Sequence, residues 1–154
     1  MKNILVTGGA GFIGCNLIKE LKDKGFNVLS IDDYSSGFKE NEILGVKYID
    51  LDINHIDQID FNADICFHLA ARSRVQPSFS NPIDYFDSNV KGTMKIMEWA
   101  RANNTKVVYA GSSSKHHSPS DSPYAMYKFL GEEVCKLYKT SFNVDVEIAR
   151  FYNV

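Results

Sequence analysis

Apolar and polar positions along this chain follow two periods in turn. "NILVT" (3–7), "NVLSI" (27–31), "VKYI" (46–49), "DICFHLA" (64–70) and "KVVYA" (106–110) are short, mostly apolar runs of strand length. Glycines close the first, and its unbroken apolar character suits a strand covered on both faces. Helical patterns lie between these runs. Phe12, Ile13, Leu17, Ile18 and Leu21 recur at helical spacing until Gly25 stops them. Pro82 opens a long helix in which Phe86, Val90, Met94 and Met97 form one stripe, and another helix follows Pro123. "VDVEIA" (144–149) alternates strictly, as a half-exposed strand does. Residues 33–45 and 50–63 read as loops with short helices.

Strands alternating with helices imply right-handed crossovers and a parallel sheet covered on both faces. The expected fold is therefore α/β: a doubly wound (Rossmann) sheet of six strands in the order 3-2-1-4-5-6. Its 154 residues make one domain, able to bury roughly 70% of its unfolded surface.

Composition narrows the function more than the fold. With 44% hydrophobic and 23% charged residues and a net charge of −2, the chain has no electrostatic footprint for nucleic acid or an acidic membrane. No apolar run approaches a membrane span, and "MKNILVTGG" lacks the apolar length and cleavage site of a signal peptide. Cys15, Cys66 and Cys135 lack C-x-x-C spacing and read as buried apolar residues in a reducing compartment. A cytoplasmic protein is the expectation.

"TGGAGFIG" (7–14) spaces Gly8, Gly11 and Gly14 between the first strand and the first helix. Glycine lets the chain turn tightly and bring backbone N–H groups against a pyrophosphate, which the positive end of the helix favours. Asp32 closes the second strand, where a carboxylate accepts from both adenosine ribose hydroxyls and repels a 2′-phosphate. No arginine follows at once to hold such a phosphate, so NAD rather than NADP is expected. Asp33 reads as a solvated turn residue.

With these motifs on the page, the sequence resembles the extended short-chain dehydrogenase/reductase family, in particular its nucleotide-sugar epimerases and dehydratases of the UDP-glucose 4-epimerase kind. The likeness runs through "TGGAGFIG", "DDYSSG" (32–37), "DLDI" (50–53), "HLAA" (68–71), "NVKGT" (89–93), "SSS" (112–114), Tyr124-x-x-x-Lys128 and "RFYNV" (150–154). It implies that Phe12 and Ile13 join the glycines around the cofactor and that Asp52 and Ile53 border its adenine. Leu69, Ala70 and Ala71 would run beneath NAD, Asn89 would steady the surrounding loops, and Tyr152 and Asn153 would stand beside nicotinamide and sugar. The implied catalytic set is Ser114, Tyr124 and Lys128. Tyr124 and Lys128 share one helix face, so an ammonium lies close to a phenol and favours its ionised form. Tyr124 would take the proton of a sugar hydroxyl while the carbon gives hydride to NAD, Ser114 would hydrogen-bond that hydroxyl and share its proton, and Tyr124 and Lys128 would both also contact the cofactor, Lys128 at the nicotinamide ribose.

Two departures shape the expectation. "KHHSPSDSP" (115–123) is shorter than the family's usual loop between serine and tyrosine. Lys115 and His116 stand where 4,6-dehydratases carry Asp-Glu, which favours an epimerase over a dehydratase. His116 and His117 diverge as neighbours and lack a third ligand, so no metal is expected. Arg72 and Arg74 fit either a diphosphate contact or the surface. The resemblance further implies a nucleotide-sugar substrate (a UDP-sugar) held mainly by a C-terminal substrate domain that is expected to be absent here. It also implies a homodimer through helices 82–102 and 122–140, whose Met94, Met97, Trp99, Phe129, Leu130, Leu137 and Tyr138 exceed the needs of one face. Two readings stand: an epimerase represented by its cofactor domain, with little activity alone, or a non-catalytic NAD-binding or interaction module on the same fold.

Overall fold

The computed structural model describes residues 1–113 and 118–152. Within them, β1 (Asn3–Thr7), β2 (Asn27–Asp32), β3 (Lys47–Asp50), β4 (Ile65–His68), β5 (Lys106–Ser112) and β6 (Val146–Phe151) form one parallel sheet. Their order is β3-β2-β1-β4-β5-β6, the expected doubly wound order. Central β1 serves both layers, because alternate side chains leave opposite faces of a strand. Ile4 and Val6 pack with Ile18 and Leu21 of α1 (Phe12–Asp23), whereas Leu5 joins Ile96, Met97 and Tyr138 on the other side. The C-terminal ends of the strands meet at one edge, where Thr7 pairs with Ile31 and His68, and His68 with Tyr109.

Residues 82–103 run as one helical course opened by Pro82, as expected, but with a wide π turn inside it. They comprise α3 (Pro82–Phe86), a wide π turn (Asp87–Gly92) and α4 (Thr93–Asn103). The π turn takes an extra residue, which rotates the following face and breaks the expected stripe. Val90 and Met97 are buried, but Phe86 and Met94 face outward, 41% and 44% exposed. Thr93, Ile96, Trp99 and Ala100 fill the inner face instead. Asn104 ends α4 in the left-handed region, φ 53°, and Asn143 ends α5 (Pro123–Phe142) in the same way. Ser122 starts α5 by accepting from the Ala125 N–H at 3.0 Å.

The stretch 72–78, undecided from sequence, enters α2 (Gln76–Ser80). β4 stops at His68 rather than residue 70: Leu69 N–H still donates to Thr7 C=O, but Ala70 N–H turns to the Thr7 hydroxyl. β6 lies at the sheet edge, with Val146 buried and Glu147 exposed, as its alternation implied. Among the described residues, no helix is long and apolar enough to cross a membrane. Cys66 and Cys135 are buried and Cys15 is half-buried, all as free thiols.

Candidate functional site

The turn after β1 is shaped by contacts too close for any side chain. Gly8 takes φ +75°, and a Cβ there would stand 2.7 Å from the Ala70 backbone nitrogen. A Cβ at Gly14 would meet the Gly8 carbonyl oxygen at 2.2 Å. Strand end, helix start and the Leu69–Ala71 ledge therefore press backbone on backbone. No side chain caps the first turn of α1, which leaves its positive end free for an anion.

One strand away, Asp32 is buried at 7% exposure. Its carboxylate accepts from the N–H groups of Ala10 and Tyr34, both at 2.9 Å. Burial raises its pKa, and the two amides pull the other way. Asp33, expected to be a solvated turn residue, is more than that. One of its oxygens caps Ser35 N–H at 2.9 Å, while the other lies 3.9 Å from the Arg72 guanidinium.

These elements bound a cleft of about 760 Å³. Gly8, Gly11, Phe12, Ile13, Gly14, Asp32, Asp52 and Ile53 line one part of it. Leu69, Ala70 and Ala71 border it at the end of β4, and Tyr124, Lys128 and Tyr152 come to it from α5 and the end of β6. Asn89 is buried behind the wall. It accepts from Arg72 N–H at 2.7 Å and donates to Arg72 C=O at 3.0 Å, which fixes the loop rather than touching the cleft. Ser114 and Asn153, with His116 and His117, fall outside the described residues. Among the described residues, no group of three His, Cys, Asp or Glu side chains stands where it could hold a metal.

At the far end, Tyr124 begins α5. Its N–H donates to the Ser78 hydroxyl at 3.2 Å, and its ring meets Tyr85 edge-on with centroids 6.5 Å apart. Lys128, one turn on, is 5% exposed, donates to the Ala110 carbonyl at 2.6 Å and lies 4.6 Å from the centroid of the Tyr109 ring. Burial lowers its pKa to about 8. Glu132, a further turn on, is bound in fork fashion by Arg150 at 3.1 and 2.9 Å. Burial outweighs the pull of the Glu132 charge, which favours the Lys128 proton.

Behind the cleft lies a polar chain that sequence reasoning missed. The Thr7 hydroxyl stands 2.8 Å from His68 Nδ1, and His68 Nε2 stands 3.1 Å from the Thr93 hydroxyl. Thr93 donates to the Asn89 carbonyl, so it accepts from His68 Nε2–H, and Nδ1 accepts from Thr7. Burial, with the nearby Lys128, pushes the His68 pKa down to about 3 and keeps the ring neutral.

A dinucleotide fits this arrangement: backbone too close for side chains at the turn, a helix start without a side-chain cap, a buried carboxylate at the end of β2 and one cleft that all of them border. Residues 4–154 match the model of the NAD dependent epimerase/dehydratase family. The chain belongs to that family. A UDP-glucose 4-epimerase of Mycolicibacterium smegmatis is 33% identical over 92% of this chain and 52% of its own length. A UDP-N-acetyl-alpha-D-glucosaminuronate decarboxylase of Bacillus cytotoxicus is 30% identical over 99% and 54%. Among solved structures, the Bordetella bronchiseptica enzyme WbmF, in complex with NAD+ and UDP, superposes with TM-score 0.90 at 31% identity, over 99% of this chain and 49% of that one. The chain spans about half the length of the curated relatives it matches.

Within this epimerase/dehydratase fold, Arg72 and Arg74 line the cleft, Arg72 half-buried and Arg74 exposed. Asp33, His68 and the Glu132–Arg150 pair had no readable signal, because each gains its meaning from a partner distant in sequence.

Proposed function

We propose that residues 1–154 form the NAD-binding, base-bearing part of a nucleotide-sugar epimerase. The observation that carries this reading is one cleft shared by the glycine turn, Asp32, Tyr124 and Lys128. NAD, when bound, supplies a hydride acceptor beside the sugar carbon. Gly8, Gly11 and Gly14 give the diphosphate close access to backbone, and the Asp32 carboxylate accepts from the adenosine ribose hydroxyls. Tyr124 removes the proton of the sugar hydroxyl as that carbon is oxidised, then returns it when the ketone is reduced on its other face. Lys128, a buried cation one helical turn away, offsets the negative charge of the transfer. Ser114 shares the proton with Tyr124. The substrate class is a UDP-sugar, the chemistry named for the relatives.

Geometry also limits what residues 1–154 do unaided. A reacting carbon must sit about 3–3.5 Å from its acceptor, and a 1 Å misplacement costs about a hundredfold. The described cleft brings a cofactor groove and a candidate proton-transfer pair, and we propose that the grip on the substrate's nucleotide is supplied by another part of the protein. The chain is therefore expected to bind NADH and to turn over UDP-sugars slowly. The test is NADH fluorescence titration, followed by absorbance at 340 nm after UDP-glucose or UDP-galactose is added to the NAD+-loaded protein. Absence of NADH binding refutes the cofactor reading. Reduction that persists in Tyr124→Phe refutes the assigned base, and fast epimerisation by the chain alone refutes the limit.

The same reading includes a homodimer through α3–α4 and α5. Met97, Trp99 and Tyr138 belong to the chain's own core, which shortens the expected apolar surplus. Phe86, Met94, Phe129, Leu137 and Phe142 remain 39–51% exposed on these helices. A monomer in sedimentation at micromolar concentration would refute this part.

A further inference from the structure

An arginine does stand near Asp32 and Asp33, although none follows them at once in the chain. Arg72 comes to them from the loop after β4, with its guanidinium 3.9 Å from Asp33 Oδ2. Its backbone is fixed: Asn89 holds both its N–H and its C=O, and the Tyr85 hydroxyl donates to the next two carbonyls, Ser73 at 2.6 Å and Arg74 at 3.0 Å. Its side chain is freer, at 33% exposure, and a half-exposed ion pair of this kind is weak. A firmly rooted, loosely held cation thus reaches the part of the cleft where the carboxylates Asp32 and Asp33 follow one another.

We propose that Arg72 is the residue that sets this groove's choice between NAD and NADP, and that Asp33 holds it in the NAD-selective state. This rests on the cofactor reading above. With Asp33 charged, the guanidinium is engaged and the corner stays net negative, which repels a 2′-phosphate. With that charge removed, Arg72 is free to present its planar donors to the phosphate, a geometry arginine matches well. Asp33 Oδ1 separately caps Ser35 through its N–H and hydroxyl, so the turn needs only that one acceptor. Asp33→Asn keeps the acceptor and removes the charge, and the variant is expected to fold.

The experiment measures NADH and NADPH dissociation constants by fluorescence for the unsubstituted chain, Asp33→Asn, Arg72→Ala, the double variant and Arg74→Ala/Asp33→Asn. The expected result is about a tenfold tighter NADPH binding in Asp33→Asn, with NADH changed by less than about threefold. That gain vanishes in the double variant with Arg72→Ala and survives Arg74→Ala. No gain in a folded Asp33→Asn protein, or a gain that outlasts removal of Arg72, overturns the proposal while NADH binding stands. Failure of the unsubstituted chain to bind NADH overturns the cofactor reading and this proposal together.

Discussion

The two ends of the cleft are made of different material. At the glycine end, backbone contacts make the fold: the missing side chains of Gly8 and Gly14 let β1, α1 and the Leu69–Ala70 backbone meet, and that packing shapes the turn where a diphosphate would lie. At the tyrosine end, side chains would carry the proposed chemistry, and the fold gains little from them. Lys128 is a buried cation whose charge is disfavoured where it sits, and Tyr124 is only half-buried at the cleft wall. The glycine end should therefore fail as structure when it is altered. The tyrosine end should survive alteration, or even gain stability, and lose only its chemistry.

The largest effect is expected at Gly14→Val. A Cβ there overlaps the Gly8 carbonyl and comes within 2.7 Å of Gly9 Cα, backbone atoms with no freedom to yield. A loss of about 3 kcal/mol or more follows, a large part of the 5–15 kcal/mol typical of a whole domain. Urea denaturation should show a lowered midpoint, and NADH titration should show no binding. A variant as stable as the parent would mean that the backbone contacts are not the foundation of this end.

Lys128→Met should do the opposite. Folding lowers the pKa of this ammonium from 10.5 to about 8. Between those pH values the unfolded chain binds more protons, so this group's contribution to stability rises with pH across the window and is constant below it. Replacing the charge recovers about 3 kcal/mol at pH 7, reduced by about 1 kcal/mol for the Ala110 carbonyl that loses its donor. Met should thus be more stable by about 2 kcal/mol at pH 7, with the gap narrowing from pH 8 to 10.5. The difference between the two proteins is the diagnostic quantity, because the buried thiol Cys66, pushed up to about 12 by burial alone, bends both curves the other way. A less stable Met variant would place Lys128 with the structural residues and remove the contrast between the two ends.

The same division decides what was legible in the sequence. Strand runs, the glycine turn and Asp32 depend on near neighbours, and their positions came through within a few residues. So did Tyr124 and Lys128, which share a helix. The stripe through Phe86 and Met94 did not, because a single π turn changes helical phase without any mark such as a proline. Asp33 with Arg72, and Glu132 with Arg150, pair across 39 and 18 positions, and only the sheet order brings them together. His68 read as part of an apolar strand, and its tautomer is fixed by Thr7 and Thr93, 61 and 25 positions away.

His68 lies between the two ends and should show an intermediate effect. Its pKa falls from 6.5 to about 3 on folding, so the unfolded chain binds the extra proton between those values. Stability contributed by the neutral ring is complete above pH 6.5 and is lost as pH falls, by about 1.4 kcal/mol at pH 5.5. His68→Gln should be the less stable protein at pH 7, with a deficit that shrinks by about that amount at pH 5.5. A deficit constant from pH 7 to 5.5 would show that the ring is not held neutral.

The smallest effect, Tyr124→Phe, tests the contrast most sharply. The substitution removes one oxygen and keeps the ring that packs edge-on against Tyr85. The contact through which Tyr124 joins Ser78 is made by its backbone N–H, which phenylalanine retains. The groove's turn, its helix start and the Asp32 carboxylate lie on β1, α1 and β2, and Tyr124 supports none of them. The urea midpoint should therefore stay within error, and the NADH dissociation constant within about twofold, a difference of about 0.4 kcal/mol. Any reduction of bound NAD+ by a UDP-sugar should fall by orders of magnitude, because a phenyl ring cannot accept the proton. A phenylalanine variant that weakened NADH binding tenfold would mean that the hydroxyl is part of the groove. The two ends would then be one continuous structure, and the division drawn between them would fail.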